Sequence, residues 1–219
     1  MTIWNQMAKP LHNADRRRWA PSMQMIPPQL ILASTSSIRR ELLAKLGIPF
    51  VAVAPQYEER DLELPPRDES LGRARGKAAS VKATHPSAVI VASDQLLFFG
   101  GTHLPKPVNE VAAAQLLIRM RGAEHRLYTS LVVLSGEDPV CEDVVVSRLV
   151  IHPDLTDDEI RAYVAADHPA GCAGGFKLES RGICLFSSID TPDFTAILGL
   201  PMLTLGRVLR SLGYRTVSF

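Results

Sequence analysis

A short apolar run that leads directly into a serine-rich turn and a helix sets the strongest limit on the fold of this chain. Leu30 to Ala33 suits a buried strand, because the run is too short for a helix. Ser34 to Ser37 follow at once, and Ile38 to Leu46 then place leucines on one helical face. Gly47 ends the pattern, where a left-handed helix cap is common. The segment therefore predicts a strand, a tight turn and a helix.

The rest of the chain alternates short apolar strands with helical patterns. Strands are predicted over Ala88 to Ala92, Leu96 to Phe99, Leu127 to Leu134 and Val140 to Ile151, with further apolar runs around Phe176 and over Ile183 to Ile189. Helices are predicted over Asp68 to about Thr84, Asn109 to Gly122, Thr156 to about Ala166 and Pro201 to Leu212. Because helices join some of the strands and short turns join others, the order predicts an α/β fold with a mixed sheet.

Length and composition indicate a folded protein without a nucleic-acid or membrane role. With 219 residues, the chain can form one large domain or two small ones. Its 24 basic and 23 acidic residues leave a net charge of +1, whereas a dedicated nucleic-acid-binding protein usually has a strong basic excess. No apolar run approaches the roughly 18 residues of a membrane span. We therefore expect no nucleic-acid partner and no membrane.

The cysteines and the amino-terminal segment indicate where the protein acts. Cys141, Cys172 and Cys184 are far apart and odd in number, which disfavours a disulfide framework or a cysteine zinc site. This pattern favours a reducing compartment, the cytoplasm. Residues 1–28 contain Arg16 to Arg18 but no apolar stretch after them, so they do not form a secretory signal. We expect a flexible extension over residues 1–28 and a single domain over residues 29–219.

The serine-rich turn is a candidate anion site. Free backbone N–H groups and the positive end of the helix dipole favour phosphate there, and the hydroxyls of Ser34 and Ser36 add donors. Arg39, one turn into the helix, offers a guanidinium that can bind two phosphate oxygens. The alternative is a plain serine N-cap beside a solvated arginine pair, since serine is common before helices. The two commonest glycine-rich nucleotide motifs are missing from the sequence.

Charged residues elsewhere could complete a site for a metal and a polyphosphate. Asp94 follows a predicted buried strand, where α/β proteins bind ligands, and the acidic loop at Glu58 and Glu59 could supply a second carboxylate for magnesium. Lys77 and Lys106 could neutralise phosphate charge. The alternatives stay open: an aspartate in a turn, a solvated acidic loop and ordinary surface lysines.

The segment from Ala173 to Glu179 combines glycines, an aromatic residue and a carboxylate. The glycines permit close approach of the backbone to a ligand, the aromatic residue could support a nucleobase, and Glu179 could accept hydrogen bonds from a base edge. A turn that leads into a strand would need none of these functions.

Together and in order, these segments resemble the Maf family of nucleoside triphosphate pyrophosphatases. The matching motifs are LILASTSSIRRELLAKLGIPF from Leu30, EE ending at Glu59, ARGKA with Lys77, ASDQ with Asp94, KP with Lys106, and GCAGGFKLE followed by LGLPM. They extend from Leu30 to about Gly213. STSSIRR, SDQ and CAGGFK with Glu179 are more similar to the branch associated with 7-methyl-GTP than to the branch acting on dTTP and UTP.

The resemblance implies a twisted mixed sheet with flanking helices and a cleft, as in the inosine triphosphate pyrophosphatases, within one catalytic domain over residues 29–219. It also implies a nucleoside triphosphate substrate, a divalent metal cation (Mg²⁺ or Mn²⁺) and often a homodimer. Carried over by motif, the implied roles are Asp94 as proton acceptor and metal ligand, Glu59 as metal ligand, Ser34, Ser36, Arg39, Lys77 and Lys106 as phosphate-binding residues, and Ile38, Gln95 and Glu179 as residues that set base preference.

Two residues depart from the family pattern. Ser37 stands where proline is usual, and Ile38 stands where the 7-methyl-GTP branch tends to carry tryptophan, an aromatic that can stack on a cationic base. The resemblance predicts hydrolysis of the α–β phosphate bond of a 7-methyl-GTP-like nucleotide to the monophosphate and pyrophosphate, in a house-cleaning role. A dTTP/UTP-type pyrophosphatase and a non-catalytic nucleotide-binding regulator of septum formation are the alternatives.

Overall fold

Seven strands and six α-helices make up the structure, a computed structural model that describes residues 27–60 and 62–215. The strands are β1 (Leu30–Ala33), β2 (Phe50–Val53), β3 (Val89–Phe99), β4 (Thr102–Leu104), β5 (Glu124–Leu134), β6 (Pro139–Ile151) and β7 (Phe186–Asp190). The helices are α1 (Ser37–Ala44), α2 (Pro66–Lys82), α3 (Glu110–Met120), α4 (Asp157–Asp167), α5 (Phe194–Ile197) and α6 (Met202–Ser211), and two 3₁₀ helices, Ala173–Gly175 and Arg181–Leu185, precede β7.

The strands form one mixed sheet in the order β2-β1-β3-β5-β6-β7, with β4 paired to β3. β1 runs parallel to β2 and β3, whereas the other pairs are antiparallel. Short turns join β3 to β4 and β5 to β6, and α1 and α2 make the crossovers between the parallel strands. The predicted α/β fold, a mixed sheet with flanking helices, is confirmed.

Alternation along β1 divides the core between the two faces of the sheet. Leu30 and Leu32 pack in a cluster with residues of α1 and α6, while Ile31 and Ala33 pack with α2. All four side chains are at most 1 % exposed, as expected for a parallel strand covered on both faces. A third cluster, around Leu117 of α3, covers the other end of the sheet. β1 is therefore fixed from both sides, and its carboxyl end leads directly to the first turn of α1.

β3 is longer than the sequence indicates. The apolar run Ala88 to Ala92 predicts a strand that ends there, yet β3 continues to Phe99. β5 pairs with β3 along most of its length, so the polar residues in its middle keep their backbone hydrogen bonds. β1, in contrast, pairs with β3 only as far as Val91. Asp94 therefore lies inside a strand that extends past the end of β1, and the expectation of a position at the end of a strand is wrong.

Most of the predicted helix starts are confirmed. Ser36 caps α1, Asn109 caps α3, and Thr156 opens α4 with a capping box. α2 begins at Pro66, so Asp68 lies in its first turn instead of capping it. The sequence does not reveal β2 or α5, because each has only four residues and little periodic pattern.

Every helix within residues 27–60 and 62–215 is too short or too polar to span a bilayer. Of the expected extension over residues 1–28, residues 1–26 lie outside the described part of the chain. Pro28 belongs to the fold, because its carbonyl oxygen accepts a hydrogen bond of 2.6 Å from the hydroxyl of Tyr214. The single domain over residues 29–219 stays a prediction.

Candidate active site

A cleft of about 520 Å³ lies where β1 ends and β3 continues. Its walls come from the serine-rich turn and the start of α1 (33–39), the loop after β2, α2, β3, the residue before Pro107, the segment 171–179 and the turn 197–199. This volume is in the range of small-molecule sites. Every residue that the resemblance implies for the site lines this cleft except Asp94, which lies behind Lys77.

The serine-rich turn has the geometry of a helix N-terminus that opens into the cleft. Ser36 accepts a hydrogen bond from the backbone N–H of Arg39 at 3.4 Å and thus caps α1. Ser34 accepts one from the N–H of Ser36 at 3.1 Å and is almost fully buried. The alternative of a plain serine N-cap therefore holds for Ser36. It does not exclude an anion, because a hydroxyl that accepts from the backbone can still donate its own hydrogen.

The Arg39 guanidinium makes more hydrogen bonds within the protein than the sequence suggests. Its Nε donates to the carbonyl oxygen of Gly199 at 2.7 Å and its Nη1 to that of Ser93 at 2.8 Å. Burial lowers the pKa of the Arg39 guanidinium, while the charges of Asp94 and Glu59 oppose that shift. Arg39 thus holds the turn at Gly199 against β3. Its Nη2 has no hydrogen-bond partner among the described residues and is available to bind a phosphate.

Lys77 joins the two carboxylates that the sequence places far apart. Its Nζ lies 2.5 Å from Oε1 of Glu59 and 2.5 Å from Oδ1 of Asp94. Lys77 and Asp94 are buried, whereas the Glu59 side chain is 45 % exposed at the wall of the cleft. A lysine this buried between two acids is not an ordinary surface lysine. Glu58, by contrast, is exposed and pairs with Arg60, so the solvated-loop alternative describes Glu58.

The charges around Glu59 keep its carboxylate ionised. Burial acts to raise the pKa of Glu59, but the hydrogen bond and charge of Lys77, together with the charges of Lys106 and Arg73, outweigh it and leave the pKa below its ordinary value. Lys106 is exposed at the cleft edge. The positively charged residues of the predicted site therefore lie near Glu59.

The two carboxylates fit a divalent cation. The Oδ2 atom of Asp94 is buried and has no hydrogen-bond partner among the described residues, and Glu59 reaches the same amine as Asp94. No group of three or more His, Cys, Asp or Glu residues in the described part of the chain could hold a metal. Magnesium, however, needs only one or two carboxylates when water and substrate phosphates supply the other ligands.

The cleft wall also carries the residues implied to read the base. Ile38 is half-buried and Glu179 is exposed, and both face the cleft together with the buried Phe176. The Phe176 ring packs edge-on against Phe186, with the ring centroids 4.8 Å apart. The Nε2 group of Gln95 has two hydrogens and lies within 3.0 Å of three acceptors, Thr129 Oγ1 and the backbone carbonyl oxygens of Ala196 and Ile197 in α5. Packing and hydrogen bonds therefore hold this part of the cleft wall in place, and it is not an open turn.

Sequence reasoning missed Tyr57 and Thr129. Tyr57 lines the cleft, and its ring lies against Gly76 in space that any Cβ at that position would fill. The only signal for Tyr57 is its place two residues before Glu59. Thr129 is fully buried and bonds to Gln95 and to the carbonyl oxygen of Ala196, and no pattern in its own strand indicates these contacts.

Comparison with known proteins shows which family the chain is similar to. The sequence model of the Maf-like protein family matches residues 29–212. The chain is 40% identical over 192 residues to a "7-methyl-GTP pyrophosphatase" of Bordetella pertussis, covering 87% of this chain and 96% of that protein. It is 37% identical over 191 residues to a protein of the same name from Syntrophotalea carbinolica, covering 86% and 96%.

Among solved structures, a HAM1 protein from Coxiella burnetii matches 84% of this chain and 99% of its own, with 18% identity and a TM-score of 0.48. The family match covers the whole of the sheet and all the residues that line the cleft. The chain therefore belongs to the Maf-like protein family.

Proposed function

We propose that this protein hydrolyses the α–β phosphoanhydride bond of a nucleoside triphosphate, releasing the monophosphate and pyrophosphate. The observation that carries the proposal is the buried Lys77, which lines the cleft beside the N-terminus of α1 and pairs with Glu59 in the cleft wall and with Asp94 behind it. The relatives named 7-methyl-GTP pyrophosphatase support a 7-methyl-GTP-like substrate and a house-cleaning role.

The triphosphate lies in the cleft with its charge facing the cationic wall. The N-terminus of α1 offers backbone N–H groups and a positive dipole end to the phosphates. Ser34, Ser36 and Arg39 add donors on that side, and Lys77 and Lys106 add charge on the other. These groups hold the leaving pyrophosphate in line and stabilise the negative charge that it gains as the bond breaks.

A divalent metal, Mg²⁺ or Mn²⁺, is held by Glu59 and Asp94 in this proposal. When bound, it supplies charge neutralisation for the triphosphate. A cation there would also give a partner to the Oδ2 atom of Asp94, which is buried and has none among the described residues.

Asp94 is the proton acceptor for the attacking water. The water oxygen forms a bond to the α-phosphorus, the bond from the α-phosphorus to the bridging oxygen breaks, and the proton passes to the Asp94 carboxylate. The hydroxyl oxygen of Ser130 accepts the backbone N–H of Asp94 at 3.2 Å, and its hydroxyl donates to the carbonyl oxygen of Ser70 in α2 at 2.8 Å, which holds Asp94 in place against α2. The products are the nucleoside monophosphate and pyrophosphate.

Base preference comes from Glu179 in the cleft wall. Glu179 is a carboxylate that favours a base with N–H donors or a positive charge. The base of 7-methyl-GTP has both, whereas a base that presents only acceptors to this group would be repelled.

A homodimer and a cytoplasmic location are part of the proposal. The three cysteines are unpaired, which suits a reducing compartment.

The test measures pyrophosphate release from a panel of nucleotides, including 7-methyl-GTP, GTP, UTP and dTTP, with magnesium present. Asp94→Asn removes the proton acceptor while preserving shape, and we expect kcat to fall by at least about 100-fold, the lower end for a general base. Asp190→Asn is the control, because Asp190 is exposed on β7 and pairs with Arg148 away from the cleft. Tight nucleotide binding without pyrophosphate release by the wild type would indicate the non-catalytic regulator instead.

A further inference from the structure

Residues 56–60, which bring Glu59 to the cleft, have few attachments to the rest of the protein. They contain no helix or strand, and no backbone hydrogen bond among the described residues involves them. Tyr57 is half-buried, whereas the other four residues are exposed. Glu58 and Arg60 pair with each other. Within the described residues, the contacts that tie this segment to the fold are therefore the ion pair of Glu59 and the packing of Tyr57.

The ring of Tyr57 packs on α2 at a position that is open only because residue 76 is glycine. Three carbon atoms of the ring lie within 2.7 Å of the place that a Cβ of Gly76 would take. Since the ring is rigid, a side chain at Gly76 would displace it. Gly76 lies in the interior of α2, where glycine is a poorer helix former than alanine. The glycine thus weakens the helix locally and leaves room for Tyr57.

This packing site is next to the ammonium group that pairs with Glu59. Gly76 directly precedes Lys77, whose Nζ lies 2.5 Å from Oε1 of Glu59. Tyr57 and Glu59 therefore contact neighbouring residues of α2. Because only one residue separates Tyr57 from Glu59, the position of the ring limits where the carboxylate can lie.

The ion pair with Lys77 is a poor anchor for Glu59 in the metal-bound protein. Lys77 contacts both Glu59 and Asp94, the two carboxylates that hold the cation in the proposed function. A cation beside those carboxylates repels the ammonium group and weakens its pairing with them. The Glu59 side chain is also 45 % exposed, and an exposed ion pair contributes little. The uncharged ring of Tyr57 is not subject to this repulsion.

We infer that Tyr57, packed against Gly76, is a positioning residue that keeps Glu59 in place to bind the metal. This inference rests on the proposed function, and it deepens that function by naming a residue that acts through Glu59. The contact with α2 is made by ring carbons, so the hydroxyl of Tyr57 is not needed for this role.

The test measures the Mn²⁺ affinity of the protein without nucleotide, from the electron paramagnetic resonance signal of free Mn²⁺. Gly76→Ala fills the space of the ring, and Tyr57→Ala removes the ring. We expect each change to weaken Mn²⁺ binding by at least about tenfold, the lower end for residues that orient a metal ligand. Tyr57→Phe keeps the ring and should bind Mn²⁺ as the wild type does. Gly206→Ala is the matched control, because its new Cβ has no atom within 4 Å, and it should leave the affinity unchanged.

A double variant shows whether the two changes act through one contact. Once Tyr57→Ala has removed the ring, Gly76→Ala has nothing to displace, so the combination should bind Mn²⁺ no more weakly than Tyr57→Ala alone. If Gly76→Ala does not fold, the comparison of Tyr57→Ala with Tyr57→Phe keeps the test decisive.

Three results would overturn the inference: Mn²⁺ affinity unchanged in both Gly76→Ala and Tyr57→Ala, losses that add in the double variant, or a loss in Tyr57→Phe as large as in Tyr57→Ala. Failure of the proposed function would appear separately, because pyrophosphate release by the wild type is measured on its own. Absence of that release, with the expected order of Mn²⁺ affinities, would leave the positioning role of Tyr57 intact.

Discussion

At the scale of single residues, one buried ammonium group holds the two carboxylates of the cleft together. Lys77 Nζ lies 2.5 Å from both Glu59 and Asp94, and Asp94 is only 4 % exposed. A carboxylate buried without a cation is strongly unfavourable. Lys77 therefore serves the stability of the fold and, in the proposed function, the charge of the substrate as well.

Replacing Lys77 with methionine removes the ammonium group and keeps most of the side-chain length. We expect the free energy of unfolding at pH 7 to fall by about 3–5 kcal/mol, the usual loss when one partner of a buried ion pair is removed, and pyrophosphate release to stop. Lys106→Met is the matched control: Lys106 is exposed, so its loss should change stability by less than about 0.5 kcal/mol while raising KM. Equal stability of the two variants in urea unfolding would contradict the role of Lys77.

At the scale of elements, α4 fixes the segment that carries Glu179. The hydroxyl of Tyr163 accepts a hydrogen bond from the backbone N–H of Lys177 at 2.9 Å. The two carboxylate oxygens of Asp167 accept from the hydroxyl of Ser180 and from the next backbone N–H, each at 3.1 Å. A helix outside the cleft thereby sets the position of a residue inside it.

Gly182 is the point where this segment has no room for a side chain. A Cβ there would overlap the carbonyl oxygen of Lys177 and contact the hydroxyl of Tyr163. We expect Gly182→Ala to lower the free energy of unfolding by about 1–3 kcal/mol, as overpacking does. Gly206→Ala in α6 has no atom within 4 Å of its new Cβ and should stabilise the protein by about 0.5–1 kcal/mol. Urea unfolding of both variants tests the difference in sign, and a gain for Gly182→Ala would refute the packing argument.

At the scale of the whole molecule, one buried histidine should make stability depend on pH. His125 of β5 is 1 % exposed and packs beside the contacting rings of Phe176 and Phe186, with centroids 6.0 Å and 5.9 Å away. Burial lowers the pKa of His125 from its ordinary 6.5 to about 4. The folded protein therefore keeps this imidazole neutral at a pH where the unfolded chain protonates it.

The stabilisation that comes from keeping His125 neutral is fully present above the pKa of this histidine in the unfolded chain, and it is lost as the pH falls from 6.5 toward 4. Over that range the unfolded state binds the additional proton, so we expect this residue to reduce the free energy of unfolding by roughly 3 kcal/mol. His125→Leu removes the titrating group and keeps an apolar side chain. Urea unfolding at several pH values should give a flatter profile for His125→Leu than for the wild type, and parallel profiles would disprove the assignment.

Local signals in the sequence were sufficient for the outline of this protein. The strand, turn and helix that begin at Leu30 are confirmed, because burial pattern and helix capping depend on neighbouring residues only. The motifs that resemble the Maf family also named residues that the fold brings to one cleft, from Ser34 in the first turn to Glu179 far along the chain. Their individual roles stay predictions.

Contacts between distant strands decided what the sequence could not. β3 continues past its apolar run because β5 pairs with it, and this places Asp94 inside a strand and behind Lys77. Arg39 donates to Ser93 and Gly199, which no local pattern indicates. A hydrogen bond or ion pair between residues far apart in the sequence depends on where two segments meet in space. Chain order alone does not specify that meeting point, because tertiary packing determines it.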